Sequence, residues 1–163
     1  KLCQTKETKM SNFFARHMDV AARSQEEGAH PFGCILVGPD DDVLLEQVNC
    51  FSTDGGPGHA ETNLARAAAR KYSPEFLSGC TLYTSVEPCC MCSGSAYWAG
   101  IGAIVFGTTE HALGKITGDH PENMTLDLPC RTVIASGRRN IDVRGPFEEL
   151  ETEILDSQRR YWS

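Results

Sequence analysis

The sequence has no uninterrupted apolar run long enough to cross a bilayer, and its start, KLCQTKETKMSNFF, lacks the continuous apolar core of a secretory signal. It also lacks an excess of basic charge, since 15 Lys and Arg stand against 22 Asp and Glu, for a formal net charge of -7. This balance argues against nucleic acid as the main partner, because phosphate binding usually requires a basic field, although a local basic patch is not excluded. We therefore expect a soluble, cytoplasmic protein that does not associate with membranes.

The eight cysteines lack the regular spacing of a small scaffold stapled by disulfides. Several lie in strand-like apolar contexts, where a reduced thiol behaves as a small hydrophobe, and this pattern suits a reducing compartment. With 163 residues, the chain is long enough to bury a core without disulfide support. We predict a single domain over residues 10–163, preceded at residues 1–9 by an extension, a tag remnant or a disordered arm.

Strand and helix patterns alternate along the chain. A helical pattern runs from Ser11, its cap, to Glu27, and GCILVGPDDDVLLEQVN follows as two strands around a Pro-Asp turn. Helix patterns at HAETNLARAAARKY and PCCMCSGSAYWA alternate with strand patterns at CTLYTS and IGAIVFG. After an irregular passage, CRTVIAS is predicted as the fifth strand and PFEELETEILDSQRRYW as a charged terminal helix. This order predicts an α/β protein whose mixed sheet carries helices on both faces.

Two predicted helix starts, HAE and PCCMC, carry the residues that suit metal binding. In a helix, Cys89 and Cys92 share one face, whereas Cys90 points about 100° away. Together with His59, these two cysteines make three ligands and leave the fourth position of a zinc ion open to water, as in catalytic rather than structural sites. Thiolate and imidazole ligands favour zinc, with iron and cobalt as alternatives.

Glu61 follows His59 by two residues and would lie close to this predicted site. A carboxylate there can take and return a proton, so we interpret Glu61 as the catalytic residue and not as a ligand. Without it, the same three ligands could form a structural zinc site. The alternative is therefore a zinc-bearing subunit without turnover.

The segments HAE and EPCCMC match the H-x-E and P-C-x-x-C signature of zinc deaminases that act on nucleobases. Through these motifs the chain resembles the cytidine and deoxycytidylate deaminase superfamily, in particular its guanine deaminases, yeast-type cytosine deaminases and tRNA adenosine deaminases. The resemblance covers most of residues 11–135. It implies a three-layer α/β/α sandwich with a five-stranded mixed sheet, and one Zn²⁺ per subunit on His59, Cys89 and Cys92. It also implies a homodimer or larger assembly, and hydrolytic deamination in which Glu61 carries the proton.

The resemblance further suggests which side chains contact the substrate. Asn49 matches an asparagine that binds the base or ribose in relatives, although asparagine also commonly caps turns. Phe32 and Trp98 match aromatic positions that pack the flat purine in guanine deaminases, although aromatic residues are also ordinary core and interface material. We expect all three in the substrate pocket.

Two later residues complete the predicted pocket. Asp119, in TGDHPENM, resembles the acid that guanine deaminases set against the N1–H and the exocyclic amine of guanine, although a turn residue would look the same. The resemblance also implies that a C-terminal helix, residues 146–163, closes over the pocket, with Tyr161 or Trp162 near its end.

These residues favour a free nucleobase or nucleoside as the small-molecule substrate, with guanine, converted to xanthine and ammonia, as the first candidate. The alternatives are a tRNA adenosine deaminase, a cytosine or guanosine deaminase, and the non-catalytic zinc-bearing subunit.

Overall fold

The structure, a computed structural model, describes residues 6–163; residues 1–5, the first part of the predicted extension, lie outside the described residues. The described chain forms eight helices and five strands, in the following order: α1 (Lys6–Glu26), β1 (Gly33–Val37), β2 (Val43–Val48), α2 (Phe51–Asp54), α3 (Ala60–Lys71), α4 (Pro74–Leu77), β3 (Thr81–Val86), α5 (Cys90–Ala99), β4 (Ala103–Thr108), α6 (Glu110–Thr117), α7 (Cys130–Ala135), β5 (Asp142–Arg144) and α8 (Glu148–Trp162). None of the described helices is long and apolar enough to span a membrane.

The five strands form one mixed sheet in the order β2-β1-β3-β4-β5. Strand β1 is antiparallel to both β2 and β3, whereas β4 is parallel to both β3 and β5. The hairpin of β1 and β2 is the one that the Pro-Asp turn predicted. The α/β class and the five-stranded mixed sheet are confirmed.

Alternate side chains of the central strands enter different cores, because successive residues of a strand point to opposite faces of the sheet. In β1, Cys34 and Leu36 join the core beneath α3 and α5, whereas Ile35 and Val37 join the core beneath α1. These strands are therefore apolar on both faces, and helices cover both sides of the sheet.

The segment CRTVIAS is a helix, α7, and not the predicted fifth strand. Its β-branched residues favour a strand locally, but the buried carboxylate of Glu87 accepts a hydrogen bond from the Cys130 backbone N–H at 2.8 Å and so anchors a helix start. Cys130 and Ile134, one turn apart, then enter the core together. The fifth strand, β5, is a short polar edge strand that gave no strand signal.

Two further helices differ from the sequence-based expectation. Helix α1 begins at Lys6, so Ser11 lies within it and is not its cap. Helix α6 lies inside the passage expected to be irregular, where the Thr109 side chain caps it by accepting from the Ala112 N–H at 3.1 Å. This helix carries Glu110 and Leu113 into the neighbourhood of the site.

Helices α3 and α5 pack side by side on one face of the sheet, and this pairing positions the site. Small buried side chains on both helices, including Ala65 and Ala96, allow the close approach. Helix α5 ends where predicted, at Gly100, whose φ of 89° is a left-handed conformation that glycine adopts without strain. The N-terminal ends of α3 and α5 therefore lie next to each other.

Candidate active site

The three predicted metal ligands converge at these two helix starts. His59 is the N-cap of α3 and Cys89 the N-cap of α5, with Cys92 in the first turn of α5. The His59 Nδ1 atom lies 3.6 Å from the Cys89 sulfur and 3.5 Å from the Cys92 sulfur. The ligand atoms of all three residues lie within 4.8 Å of one another. We call these three residues the metal group.

The metal group has the spacing that zinc requires. A tetrahedral zinc with bonds of about 2.3 Å to sulfur and about 2.0 Å to nitrogen holds those two atoms about 3.5 Å apart, as observed between His59 and each cysteine. Both cysteines are buried, and the Thr62 hydroxyl lies 3.4 Å from the Cys92 sulfur. The three residues present therefore fit zinc and leave one position of a tetrahedron without a protein ligand.

The electrostatics of the metal group also favour a cation. A hydrogen bond from Cys92, helped by the neighbouring His59, lowers the pKa of Cys89 to about 4. The contact with Cys89 in turn raises the pKa of His59. The pKa of Cys92 is instead raised, first by its hydrogen bond with Cys89 and second by burial. A metal ion removes this conflict, because it deprotonates a coordinating thiol outright.

Glu61 extends from the first turn of α3 towards the metal group, and it is 6% exposed. Its Oε2 atom lies 3.5 Å from the Cys92 sulfur, and its Oε1 atom accepts a hydrogen bond from the Thr84 hydroxyl at 2.6 Å. Thr84 belongs to β3 and is buried, so the sheet fixes the orientation of this carboxylate. One oxygen is thus held by the protein, and the other faces the metal group.

A cavity with an empty volume of about 350 Å³, its mouth included, opens beside the metal group. Among the predicted site residues, it is lined by Phe32, Asn49, His59, Glu61 and Cys89. The buried Asn49 also caps the next turn, because its Oδ1 atom accepts from the Phe51 N–H at 2.8 Å. Both roles considered for Asn49, pocket wall and turn cap, therefore occur together.

Three predicted substrate contacts do not line this cavity. Trp98 is 79% exposed, because it lies on the side of α5 away from the residues that enter the core, and it borders a separate surface groove. Asp119 is exposed beyond Gly118, where α6 ends. Tyr161 is half-buried and packs on Trp162, with ring centroids 4.8 Å apart. Within a single chain these three side chains lie outside the cavity beside the metal group, and their contact with the substrate stays a prediction.

Three other polar residues of the cavity wall escaped prediction: Glu87, Glu110 and Asn123. Glu87 is structural, since its two carboxylate oxygens accept from the Cys130 N–H at 2.8 Å and from the Glu110 N–H at 3.3 Å. Its position in EPCCMC, next to the metal ligands, was an available signal. For Asn123, no sequence signal exists.

Glu110 is a second buried carboxyl group of the cavity, 8% exposed at the start of α6. Burial, followed by the nearby charges of Cys89 and Glu61, raises the pKa of Glu110 to about 8. The helix pattern of EHALGKIT, which begins at Glu110, is the sequence signal that could have indicated it.

Aromatic side chains form a cluster that reaches the cavity through Phe32. Trp162, near the end of α8, packs on Phe32, His30 and His120, with ring centroids 6.4, 5.1 and 4.9 Å apart. His30 also stacks on Phe51, with centroids 4.5 Å apart. We call these five residues the rim cluster. It joins the end of the chain to three earlier segments.

Comparison with known proteins agrees with this geometry. Residues 7–108 match the family described as the cytidine and deoxycytidylate deaminase zinc-binding region. The probable cytosine deaminase of Schizosaccharomyces pombe is 34% identical over 143 residues, which cover 88% of this chain and 86% of that protein. The guanine deaminase of Bacillus subtilis is 38% identical over 101 residues, which cover 61% and 64%. tRNA-specific adenosine deaminases are also among the relatives.

A solved structure of guanine deaminase from Nitrosomonas europaea has the same fold. It aligns with a TM-score of 0.66 at 21% identity and covers 98% of this chain and 87% of that chain. The fold, the metal group and the family match together define a zinc-dependent hydrolase that deaminates cyclic amidines. The chain belongs to the cytidine and deoxycytidylate deaminase family.

Proposed function

We propose that this protein hydrolytically removes the amino group of a free nucleobase or a small related heterocycle, with guanine, converted to xanthine and ammonia, as the first candidate. The observation that carries the proposal is a buried carboxylate, Glu61, held in one cavity with the metal group. The similarity to the guanine deaminase of Bacillus subtilis supports guanine.

His59, Cys89 and Cys92 would hold the zinc ion. The chemistry that zinc supplies when bound is a nucleophile near neutral pH, because it lowers the pKa of bound water to about 7. Burial of the two thiols excludes bulk water from one side of this site. The open side faces the cavity, where the amino-bearing ring carbon would lie.

Glu61 would carry the proton of the reaction on its Oε2 atom, which faces the metal group. Water adds to the ring carbon, the carbon–nitrogen bond breaks, and ammonia leaves a ring that has gained a carbonyl oxygen. Glu61 would take a proton from the attacking water and pass it to the ring nitrogen, and it would then take the proton of the added hydroxyl and pass it to the departing amine. Its Oε1 atom remains hydrogen-bonded to Thr84 throughout, so the carboxylate keeps its orientation.

The remaining cavity wall would hold the flat ring. Phe32 supplies an aromatic surface, and base stacking on such a surface contributes about 1–3 kcal/mol. Asn49 supplies polar contact, and its Nδ2 group is available because Oδ1 already accepts from Phe51. The packing of Trp162 on Phe32 supports the proposal that a C-terminal segment, residues 146–163, closes over the cavity with Tyr161 or Trp162 near its end.

Cytosine is the second candidate substrate, because the probable cytosine deaminase of Schizosaccharomyces pombe is similar over 88% of this chain. The net charge of -7 argues against tRNA as substrate, although deaminases of tRNA share the core motifs. Release of ammonia from a tRNA anticodon stem-loop, suppressed as salt rises, would favour that alternative.

The test is a substrate panel for the purified, zinc-loaded chain: guanine, cytosine, adenine, their nucleosides and a tRNA anticodon stem-loop. Ammonia is measured and the product base is identified by chromatography. We expect turnover of guanine to xanthine, with cytosine as the next best substrate. Turnover of adenosine in the stem-loop alone would contradict the free-base proposal, and silence across the panel would contradict catalysis.

A homodimer belongs to the same proposal. The exposed Trp98 borders a groove between α3 and α5 whose other walls include Ala65, Ala69 and Met91, and aromatic residues and methionine are enriched at protein interfaces. A dimer through this face would bury the predicted aromatic residue Trp98. Light scattering should give twice the chain mass, and Trp98→Asp should reduce it to the monomer mass. A wild-type monomer would contradict this proposal.

A further inference from the structure

The segment after α6 brings an amide, Asn123, to the cavity wall, where the sequence predicted the carboxylate of Asp119. The Nδ2 group of Asn123 is buried and has no hydrogen-bond partner among residues 6–163. Its backbone N–H donates to the His120 carbonyl oxygen at 2.9 Å, so a turn fixes its main chain. The cavity wall thus contains one hydrogen-bond donor that the described protein does not use.

An unused buried donor is costly, because it forfeits its hydrogen bonds to water and gains none from the protein. Native structures contain few such groups. Because this one belongs to the wall of the cavity beside the metal group, a ligand with a hydrogen-bond acceptor would remove the cost.

The other polar side chains of the cavity wall indicate which groups of a ligand can form hydrogen bonds there. Glu87 has both oxygens engaged by backbone N–H groups, and Glu61 has one oxygen engaged by Thr84. Asn49 has its oxygen engaged by the Phe51 N–H.

Glu110, the third carboxyl group of the wall, lies near Cys89 and Glu61, on the side of the metal group. Away from the metal group, Asn49 and Asn123 supply the polar side-chain atoms, and the Nδ2 group of each can donate to a ligand. The unpartnered Nδ2 group of Asn123 suits an acceptor on the ligand, whereas Asp119 would have bound an N–H edge.

We propose that Asn123 is a specificity residue that donates from Nδ2 to a ring carbonyl oxygen of the substrate. An exocyclic carbonyl oxygen projects beyond the ring and has two lone pairs, so it can reach a donor on the wall. The enzyme then selects amino-oxo heterocycles, which carry a carbonyl besides the amine to be removed. Guanine and cytosine belong to this class, and adenine does not. This inference rests on the proposed function and defines its substrate class.

The test uses pairs of bases that differ in the carbonyl. Guanine is compared with 2-aminopurine, which has the same reacting amine without the carbonyl, and cytosine with 4-aminopyrimidine. A site built to hydrogen-bond a substrate group can reject the analogue without it by about 10⁴-fold. We expect wild-type kcat/KM to fall at least about 100-fold within whichever pair is turned over.

Because the bases also differ in intrinsic reactivity, the deciding quantity is how the ratio within a pair changes on mutation. Asn123→Leu keeps the approximate shape and removes the donor, and it should lower the ratio at least about tenfold through loss of activity on the carbonyl-bearing base. Asn123→Asp replaces the donor by an acceptor and should lower it further. Asn140→Leu, at an exposed asparagine away from the cavity, is the matched control and should leave the ratio unchanged.

Zinc content and thermal unfolding establish that each variant is folded and loaded. An unchanged ratio in folded Asn123→Leu would overturn the inference, as would a wild type that does not distinguish the two bases of a pair. If Asn123→Leu does not fold, the inference is still tested by Asn123→Asp and by the ratio of kcat/KM values that the wild type shows within each pair of bases. Absence of ammonia from every base would instead overturn the proposed function, and this inference with it.

Discussion

The metal group lines the cavity through His59 and Cys89, and the rim cluster lines it through Phe32, but the chain builds the two groups differently. His59, Cys89 and Cys92 come from two helix starts, and two short motifs determine their spacing. The rim cluster is assembled from segments far apart in the chain. Gln158 of α8, for example, donates to the Pro31 carbonyl oxygen at 3.1 Å across 127 residues of sequence.

Because of this difference, one part of the molecule determines the chemical reaction and another part determines which substrate binds. Proton transfer and metal binding depend on residues at fixed positions in the first turns of two helices. None of these residues can be replaced without loss of a metal ligand or of the proton carrier. The shape of the rest of the cavity depends on packing between α8, α6 and the segment before β1, which many sequences could satisfy. Mutations in the metal group should therefore affect zinc and turnover, whereas mutations in the rim cluster should affect KM.

The largest effect should come from breaking the metal group with Cys92→Ser. A serine hydroxyl is a poor ligand for zinc compared with a thiolate, so we expect loss of stoichiometric zinc and ammonia release no faster than the buffer blank. Cys90→Ser, in the same turn of α5 but outside the metal group, is the matched control. Metal analysis and an ammonia assay test this prediction. A full complement of zinc in Cys92→Ser would contradict the assignment of Cys92 as a zinc ligand.

The next effect should come from Thr84→Val, which removes the hydroxyl that holds Glu61 and keeps the shape of the side chain. A hydrogen bond to a charged group contributes about 1.5–3 kcal/mol, so kcat should fall roughly 10- to 150-fold. KM and zinc content should stay within about twofold, because Thr84 lines neither the metal group nor the cavity wall. Thr84→Ser should restore most of kcat. An unchanged kcat in the valine variant would show that Glu61 needs no such support.

A smaller effect is expected from Trp162→Ala in the rim cluster. Loss of the ring that packs on Phe32 and His30 should raise KM by up to about tenfold, because an aromatic pair contributes about 0.5–1.5 kcal/mol. The value of kcat should remain within about threefold, since the metal group is untouched. Steady-state kinetics test this split. A fall in kcat without a change in KM would contradict the separation of the two regions.

The smallest effect on catalysis is expected from His17, on α1 across the sheet from the metal group. Burial lowers the pKa of His17 to about 4, against a backbone hydrogen bond that raises it. The unfolded chain, with a pKa near 6.5, therefore binds more protons between these values. The stabilising contribution is full above pH 6.5 and is lost as pH falls to about 4, by about 3 kcal/mol.

The variant His17→Leu should unfold with a shallower dependence on pH in this window, as measured by denaturant unfolding. Its kcat at neutral pH should match the wild type. The two proteins share all zinc ligands, so the difference between their pH profiles isolates His17. Parallel profiles would contradict the assignment.

The sequence predicted the parts of the site that local rules control. The i, i+3 spacing of Cys89 and Cys92 in a helix that begins after Pro88 places both thiols on one face. The alternation of strand and helix segments along the chain predicted the mixed sheet. Its central strands were recognisable as short apolar runs because both of their faces are buried. The two motifs, HAE and EPCCMC, were almost sufficient to predict the cofactor and the class of reaction.

Long-range packing decided what the sequence could not predict. Helix α7 forms in a strand-like segment because Glu87, over 40 residues earlier, anchors its first N–H. Helix α6 then determines which residue of the following segment reaches the cavity, so that Asn123 lines the wall while Asp119 is exposed. Trp98 faces outward because of its angular position on α5, which a match to aromatic positions in relatives did not reveal.

The most direct test of the central claim compares ammonia release from guanine and cytosine by wild-type protein and Glu61→Gln at equal, measured zinc content. Glutamine keeps the size of the side chain but cannot carry the proton. General acid–base groups contribute about 10²–10⁴-fold, so turnover should fall by about 10³-fold or more while zinc and thermal stability stay unchanged. Near wild-type turnover in the zinc-loaded Gln variant would contradict the role of Glu61, and a wild type that releases no ammonia would contradict the proposed reaction.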